Sequence, residues 1–169
     1  KLDIPLKNKD DPPEKPGAKY IWFSSSSKKG GTGSGSPVHL VGNPSARVVY
    51  VIEGLLKADI SHYLTGRTFV AIAGANNTSP LDSMFALLAQ SGTEEIIEAH
   101  DMDKYNNKMI MAGASKIYLM AQKHGMNCRR LTWNPNYKGF DDWQLALRQG
   151  SQRQKEIEKL SFKEQYLRG

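Results

Sequence analysis

Along the middle of the chain, apolar residues fall in short continuous runs that alternate with stretches of helical composition. Residues 48–52 (VVYVI), 68–73 (TFVAIA) and 95–99 (EIIEA) are such runs, each of strand length and each followed by a turn or polar signal. A continuous apolar run, unlike an every-other-residue one, is the pattern of a strand buried on both faces, as in a parallel sheet. A fourth strand is predicted over 127–133 (NCRRLTW). Helices are predicted between the strands over 55–64, 82–90 and 107–124, bounded by Gly66, by Asp82 and Gly92, and by Gly125, residue types that start and stop helices. A short helix over 141–148 opens on two acids, which suit a helix N-terminus, and a further charged helix follows over 151–166. Ahead of this pattern, 19–23 (KYIWF) and 37–41 (PVHLV) are short strand candidates separated by the Gly/Ser stretch 24–36, which also has the composition of a flexible linker. Residues 1–17 read as a disordered or extended lead-in, since Pro12, Pro13 and Pro16 exclude a helix.

Strands alternating with helices predict an α/β fold with a compact, Rossmann-like, four-stranded and mostly parallel sheet flanked by helices. The chain divides on this reading into a lead-in over 1–46, a core domain over 47–148 and a C-terminal helix over 149–169. At 169 residues, 39% hydrophobic and 24% charged, it can bury one ordinary core and is too apolar to be wholly disordered. No apolar stretch reaches the ~18 residues of a membrane-spanning helix, and no leader pattern is visible at the N-terminus, so a cytoplasmic protein with no membrane partner is expected. The sequence begins without Met, as a piece of a longer protein would. The single cysteine, Cys128, rules out an internal disulfide and any multi-cysteine zinc site. The net charge of +6 is uneven: residues 1–47 carry +4, 48–150 are neutral and 151–169 carry +2. Basic flanks of this size suit a polyanion as well as they suit simple solvation.

In parallel sheets the ligand site lies at the carboxyl ends of the strands. Glu53 follows the first strand of the core, Gly74 the second, and Asp101 and Asp103 the third. If the first and third strands are neighbours, three carboxylates converge, and converging carboxylates call for a cation. Oxygen donors without clustered His or Cys favour Mg²⁺, or Mn²⁺, over zinc. Asp101 and Asp103, two apart in extended chain, project the same way.

The motifs VVYVIEGLLKAD, TFVAIAGANN, IIEAHDMDKYNNKMIMAGASKIYLMAQKHG and KGFDDW, in that order, resemble the Toprim domain, the catalytic module shared by bacterial primases, topoisomerases and a class of nucleases. The matching elements are Glu53-Gly54, Gly74, Asp101-Met102-Asp103 and Lys138-Gly139-Phe140-Asp141-Asp142. The resemblance covers about residues 47–148 and is closest to a divergent primase-like branch that occurs with helicase domains on mobile elements. It departs from the primase pattern at three places. Lys57 stands where primases carry an Asp, with Asp59 two residues further on; Gly139 replaces the first acid of the late motif; and Lys-Tyr-Asn-Asn follows Asp103.

The resemblance implies a Mg²⁺-dependent phosphoryl- or nucleotidyltransferase acting on nucleic acid in DNA replication, as part of a larger primase or helicase protein. DNA, an RNA primer and nucleotides would be its partners, with a helicase domain or protein as a further one. Glu53, Asp101 and Asp103 would be catalytic, with Glu53 the general acid/base. The same three residues and Asp141 would hold the metal, although Asp141 and Asp142 would serve equally as helix caps. Gly54 and Gly74 would admit a phosphate or simply make turns, and Lys57, Lys104, Lys28 and Lys29 would bind phosphate or nucleic acid, Lys57 alternatively pairing with an acid. A Toprim nuclease and a degenerate, non-catalytic binding module are the alternatives. Trp22, Trp133 and Trp143 suit either base stacking or core packing, one of Arg129 and Arg130 must face outward from its strand, and His100 adjoins the acidic pair.

Overall fold

The computed structural model describes residue 13, residues 25–33 and 35, and residues 37–166 apart from 76 and 103–107; of 108–110 and 155–166 it describes the backbone alone. The described residues form strands β1 (His39–Val41), β2 (Val48–Glu53), β3 (Thr68–Ile72), β4 (Glu95–Glu98) and β5 (Asn127–Arg130), and helices α1 (Leu55–Thr65), α2 (Leu81–Gln90), α3 (Lys108–Lys123) and α4 (Phe140–Tyr166). The chain separates into two compact units, Lys1–Gly35 and Ser36–Gly169, and all of these elements belong to the second.

The sheet order is β1-β3-β2-β4-β5. β2 pairs in parallel with both β3 and β4, and β4 in parallel with β5. The expected α/β fold with a mostly parallel sheet is therefore present, with one correction: the sheet has five strands, not four. The added strand is the 37–41 candidate, which joins as an antiparallel edge on β3 with Leu40 opposite Val70. It lies ahead of residue 47, where the sequence pattern places the start of the domain. A second correction concerns the C-terminus. The two helices predicted on either side of Gly150 are one 27-residue helix, α4. A helix-interior glycine costs only about 1 kcal/mol and removes no hydrogen-bond donor, unlike proline. Among the described residues no helix is long and apolar enough to cross a membrane.

The pleat sorts the strand side chains onto two faces. Val49, Val51, Val70, Ile72 and Ile96 pack against Leu81, Phe85 and Leu88 of α2 and Ile117 and Ala121 of α3. Ile52, Phe69 and Ala71 pack on the other face against Ala58 of α1, Phe140 of α4 and Trp133. Phe140 is fully buried, and its ring lies 5.5–6.0 Å from those of Tyr50, Phe69, Trp133 and Trp143. This aromatic cluster anchors the start of α4 against the sheet.

Gly54 joins β2 to α1 at φ +93° and ψ 120°, and its N–H donates to the Ile72 carbonyl at 2.9 Å. A side chain rarely tolerates that backbone conformation, so glycine here is a geometric requirement. Gly54→Ala is expected to destabilise the fold by about 1–3 kcal/mol, measurable as a lowered urea midpoint with an unchanged slope.

Candidate functional site

β2 and β4 are adjacent, with Val51 opposite Glu98 and the Ala99 N–H donating to the Val51 carbonyl at 2.9 Å. Glu53 and Asp101 therefore emerge at the same edge of neighbouring strands. By alternation from Val49 and Val51, Glu53 falls on the α2/α3 side. Asp101 lies beyond the last residue of β4 and meets Lys57 of α1. Asp103 and Lys104 lie outside the described residues.

On the α1/α4 side the chain builds a charged cluster. Asp101 is only 4% exposed. Lys57, one helical turn past Glu53, brings its Nζ to 2.8 Å from Asp101 Oδ1 and 2.6 Å from Oδ2. Of the two readings of Lys57, the structure shows the pairing with an acid. A second ammonium, Lys138 Nζ, lies 3.8 Å from the same Oδ2. What brings it there is a bond between loops, the Met102 N–H donating to the Lys138 carbonyl at 2.9 Å.

Asp141 and Asp142 have different parts. Asp142 Oδ2 accepts from the Gly139 N–H at 3.4 Å, a long capping bond at the start of α4. Asp141 Oδ1 is buried and has no hydrogen-bond partner among the described residues. Burial and the neighbouring Asp142 push the Asp141 carboxyl above its usual range, against the pull of Lys57. A Cβ at Gly139 would stand 2.2 Å from Asp141 Oδ1, so a side chain there would displace that carboxylate. Gly74 is different, since a Cβ there would meet nothing within 4 Å among the described residues. The backbone after β3 is therefore open to approach.

On the α2/α3 side lies a network that the motif pattern does not mark. Glu98 and His100 are both fully buried. Glu98 Oε1 accepts from the backbone N–H of His100 and lies 3.0 Å from its Nδ1, while Oε2 accepts from Arg130 Nε at 2.8 Å. Arg130 sits directly opposite Glu98 in the β4–β5 ladder, and its guanidinium lies over the Tyr118 ring. His100 Nε2 is buried and has no partner among the described residues. The available sequence signal was an acid two residues before a histidine on a strand otherwise built from buried apolar residues. Arg129 is the outward arginine of the pair, largely exposed and bound to Glu95.

The remaining candidates resolve individually. Trp133 and Trp143 stack on each other at 5.9 Å and 9°, and Trp133 Nε1 donates to the Tyr137 carbonyl, so both belong to the core cluster; Trp22 lies outside the described residues. Burial raises the Cys128 thiol to about 12, which makes it inert as a nucleophile. Asp59 pairs with His39 at 2.6 Å. In the first compact unit, Ser25 and Thr32 close a turn through the Ser25 N–H to the Thr32 carbonyl and the Thr32 N–H to Ser25 Oγ, each at 3.0 Å. Lys28 and Lys29 are exposed within that turn. Among the described residues, no group of three or more His, Cys, Asp or Glu side chains is arranged to hold a metal ion. In comparisons with known proteins, no family model matches the chain and no curated protein is significantly similar to it.

Proposed function

We propose that this chain is a module for metal-dependent phosphoryl or nucleotidyl transfer on nucleic acid, primase-like, and part of a larger replication protein. The observation that carries the reading is the buried, unpartnered Oδ1 of Asp141, within electrostatic range of Lys57 at the carboxyl edge of a parallel sheet, where such folds bind ligands. A hard oxygen with no partner suits Mg²⁺ or Mn²⁺, and Asp101 and Asp141 are the described residues that would hold the ion. When bound, the ion would neutralise phosphate charge and polarise the phosphoryl centre. Lys57 and Lys138 would bind the phosphate as point charges, the open backbone at Gly74 would leave room for it, and Glu53 would accept or deliver the proton of the reacting hydroxyl.

The Lys57–Asp101 pair favours a second reading. A carboxylate already neutralised by lysine suits a degenerate module that binds nucleic acid or a partner protein without turnover. Primer-synthesis and nuclease assays run side by side with Mg²⁺ and Mn²⁺ separate the readings. The transferase reading expects primer synthesis that Asp101→Asn abolishes, whereas cleavage in its place would identify a nuclease. Silence in both assays, with nucleic-acid affinity intact in wild type and variant, would establish the binding module.

A further inference from the structure

We propose that the outward face of α1, backed by Arg148 of α4, is a binding track for single-stranded nucleic acid on which Tyr63 stacks a base. The inference rests on the nucleic-acid reading above and needs no metal ion. Leu56, Ile60 and Tyr63 stand at i, i+4 and i+7, so they form one stripe along α1. The buried residues of the helix, Ala58 and Ser61, lie on its other side. All three stripe residues are exposed, Leu56 at 71% and Tyr63 at 78%. Single exposed apolar residues are ordinary, whereas a contiguous run of them marks a binding surface.

The stripe begins beside the candidate site and continues away from it. Asp141, in the first turn of α4, is within electrostatic range of Lys57, in the first turn of α1. Further along both helices, the Arg148 guanidinium stands 5.7 Å from the centre of the Tyr63 ring. α4 therefore lies along α1 and runs in the same direction. Charge selects the occupant. From 143 to 154, α4 carries Arg148 and Arg153 and no acid. The single acid of α1, Asp59, is paired with His39. A face that is apolar, aromatic and positive is complementary to a polyanion that carries stackable bases. A guanidinium over an exposed ring is itself a favourable contact, and it sets a positive charge where the phosphate of a stacked nucleotide would lie. Stacking of this kind requires unpaired bases, hence a single strand. Lys57 and Tyr63 are about 9 Å apart along the helix axis, within reach of a short stretch of strand whose phosphate lies at Lys57.

The test is fluorescence anisotropy of a labelled single-stranded oligonucleotide with the full chain, in EDTA and again in Mg²⁺, beside an abasic strand of the same length. Wild type should bind both strands, the abasic one more weakly. Tyr63→Ala should weaken binding of the base-bearing strand by about 5–150-fold, the worth of one stacked base. It should leave the abasic affinity and the urea midpoint unchanged, because the ring is exposed. Tyr63→Trp should keep the affinity. Arg148→Gln should weaken both strands and lower the salt slope by about one. Equal affinity of wild type and Tyr63→Ala for the base-bearing strand would overturn the stacking role and leave the nucleic-acid reading standing. The same equality, with self-association of wild type that Tyr63→Ala abolishes, would give the face to a second copy of the chain and overturn the track. If wild type binds neither strand in either buffer, the nucleic-acid reading itself fails and the track with it.

Discussion

Replacing Glu98 by Ala should destabilise the protein by about 3–5 kcal/mol, the range for removing one partner of a buried ion pair. Glu98 lies in β4 with no exposure, and its oxygens take bonds from the His100 backbone, the His100 ring and Arg130. Without it the guanidinium of Arg130, only 26% exposed, loses its buried acceptor, and the His100 backbone N–H loses the bond that shapes the turn into Asp101. A urea titration reads the loss directly. Glu98→Gln should recover part of it, because the amide oxygen can still accept from His100. The exposed pair between Arg47 and Glu94 provides the contrast, since solvated pairs contribute little. A loss under about 1 kcal/mol for Glu98→Ala would mean that the network is replaceable by water or by relaxation.

The second large effect concerns Glu53. If Glu53 moves a proton in the reaction, Glu53→Gln should lower turnover by about 10²–10⁴-fold, the usual contribution of a general acid or base, with nucleic-acid affinity changed by no more than a few fold. The substitution is close to isosteric and removes only the ionisable group. The fold should tolerate it, because the β2–α1 junction is set by the Gly54 backbone and its bond to Ile72, not by the Glu53 side chain. In a non-catalytic module the same change would slightly tighten binding to a polyanion by removing a negative charge. Activity that survives Glu53→Gln would reduce the Glu-Gly motif to a structural turn.

The sequence by itself determined the class of fold. Continuous apolar runs such as VVYVI and TFVAIA are buried on both faces in any chain that folds, so parallel pairing and flanking helices followed from local pattern. Adjacency of β2 and β4 was a condition the pattern could state and not decide, because strand order depends on which crossovers pack together. The five-stranded count was also beyond it: the residues 37–41 form a strand only by hydrogen-bonding to β3, a partner about thirty residues away. Gly150 looked like a helix end because glycine is a weak helix former, yet nothing in space interrupts α4. At the candidate site, residue type and order singled out Glu53, Asp101, Asp141 and Lys57 as candidates. Only the tertiary structure decided that Lys57 neutralises Asp101, and that Asp142 caps α4 while Asp141 Oδ1 is buried. Those outcomes turn on a few ångströms between side chains from different elements, a scale at which charge and burial act and sequence spacing carries no information.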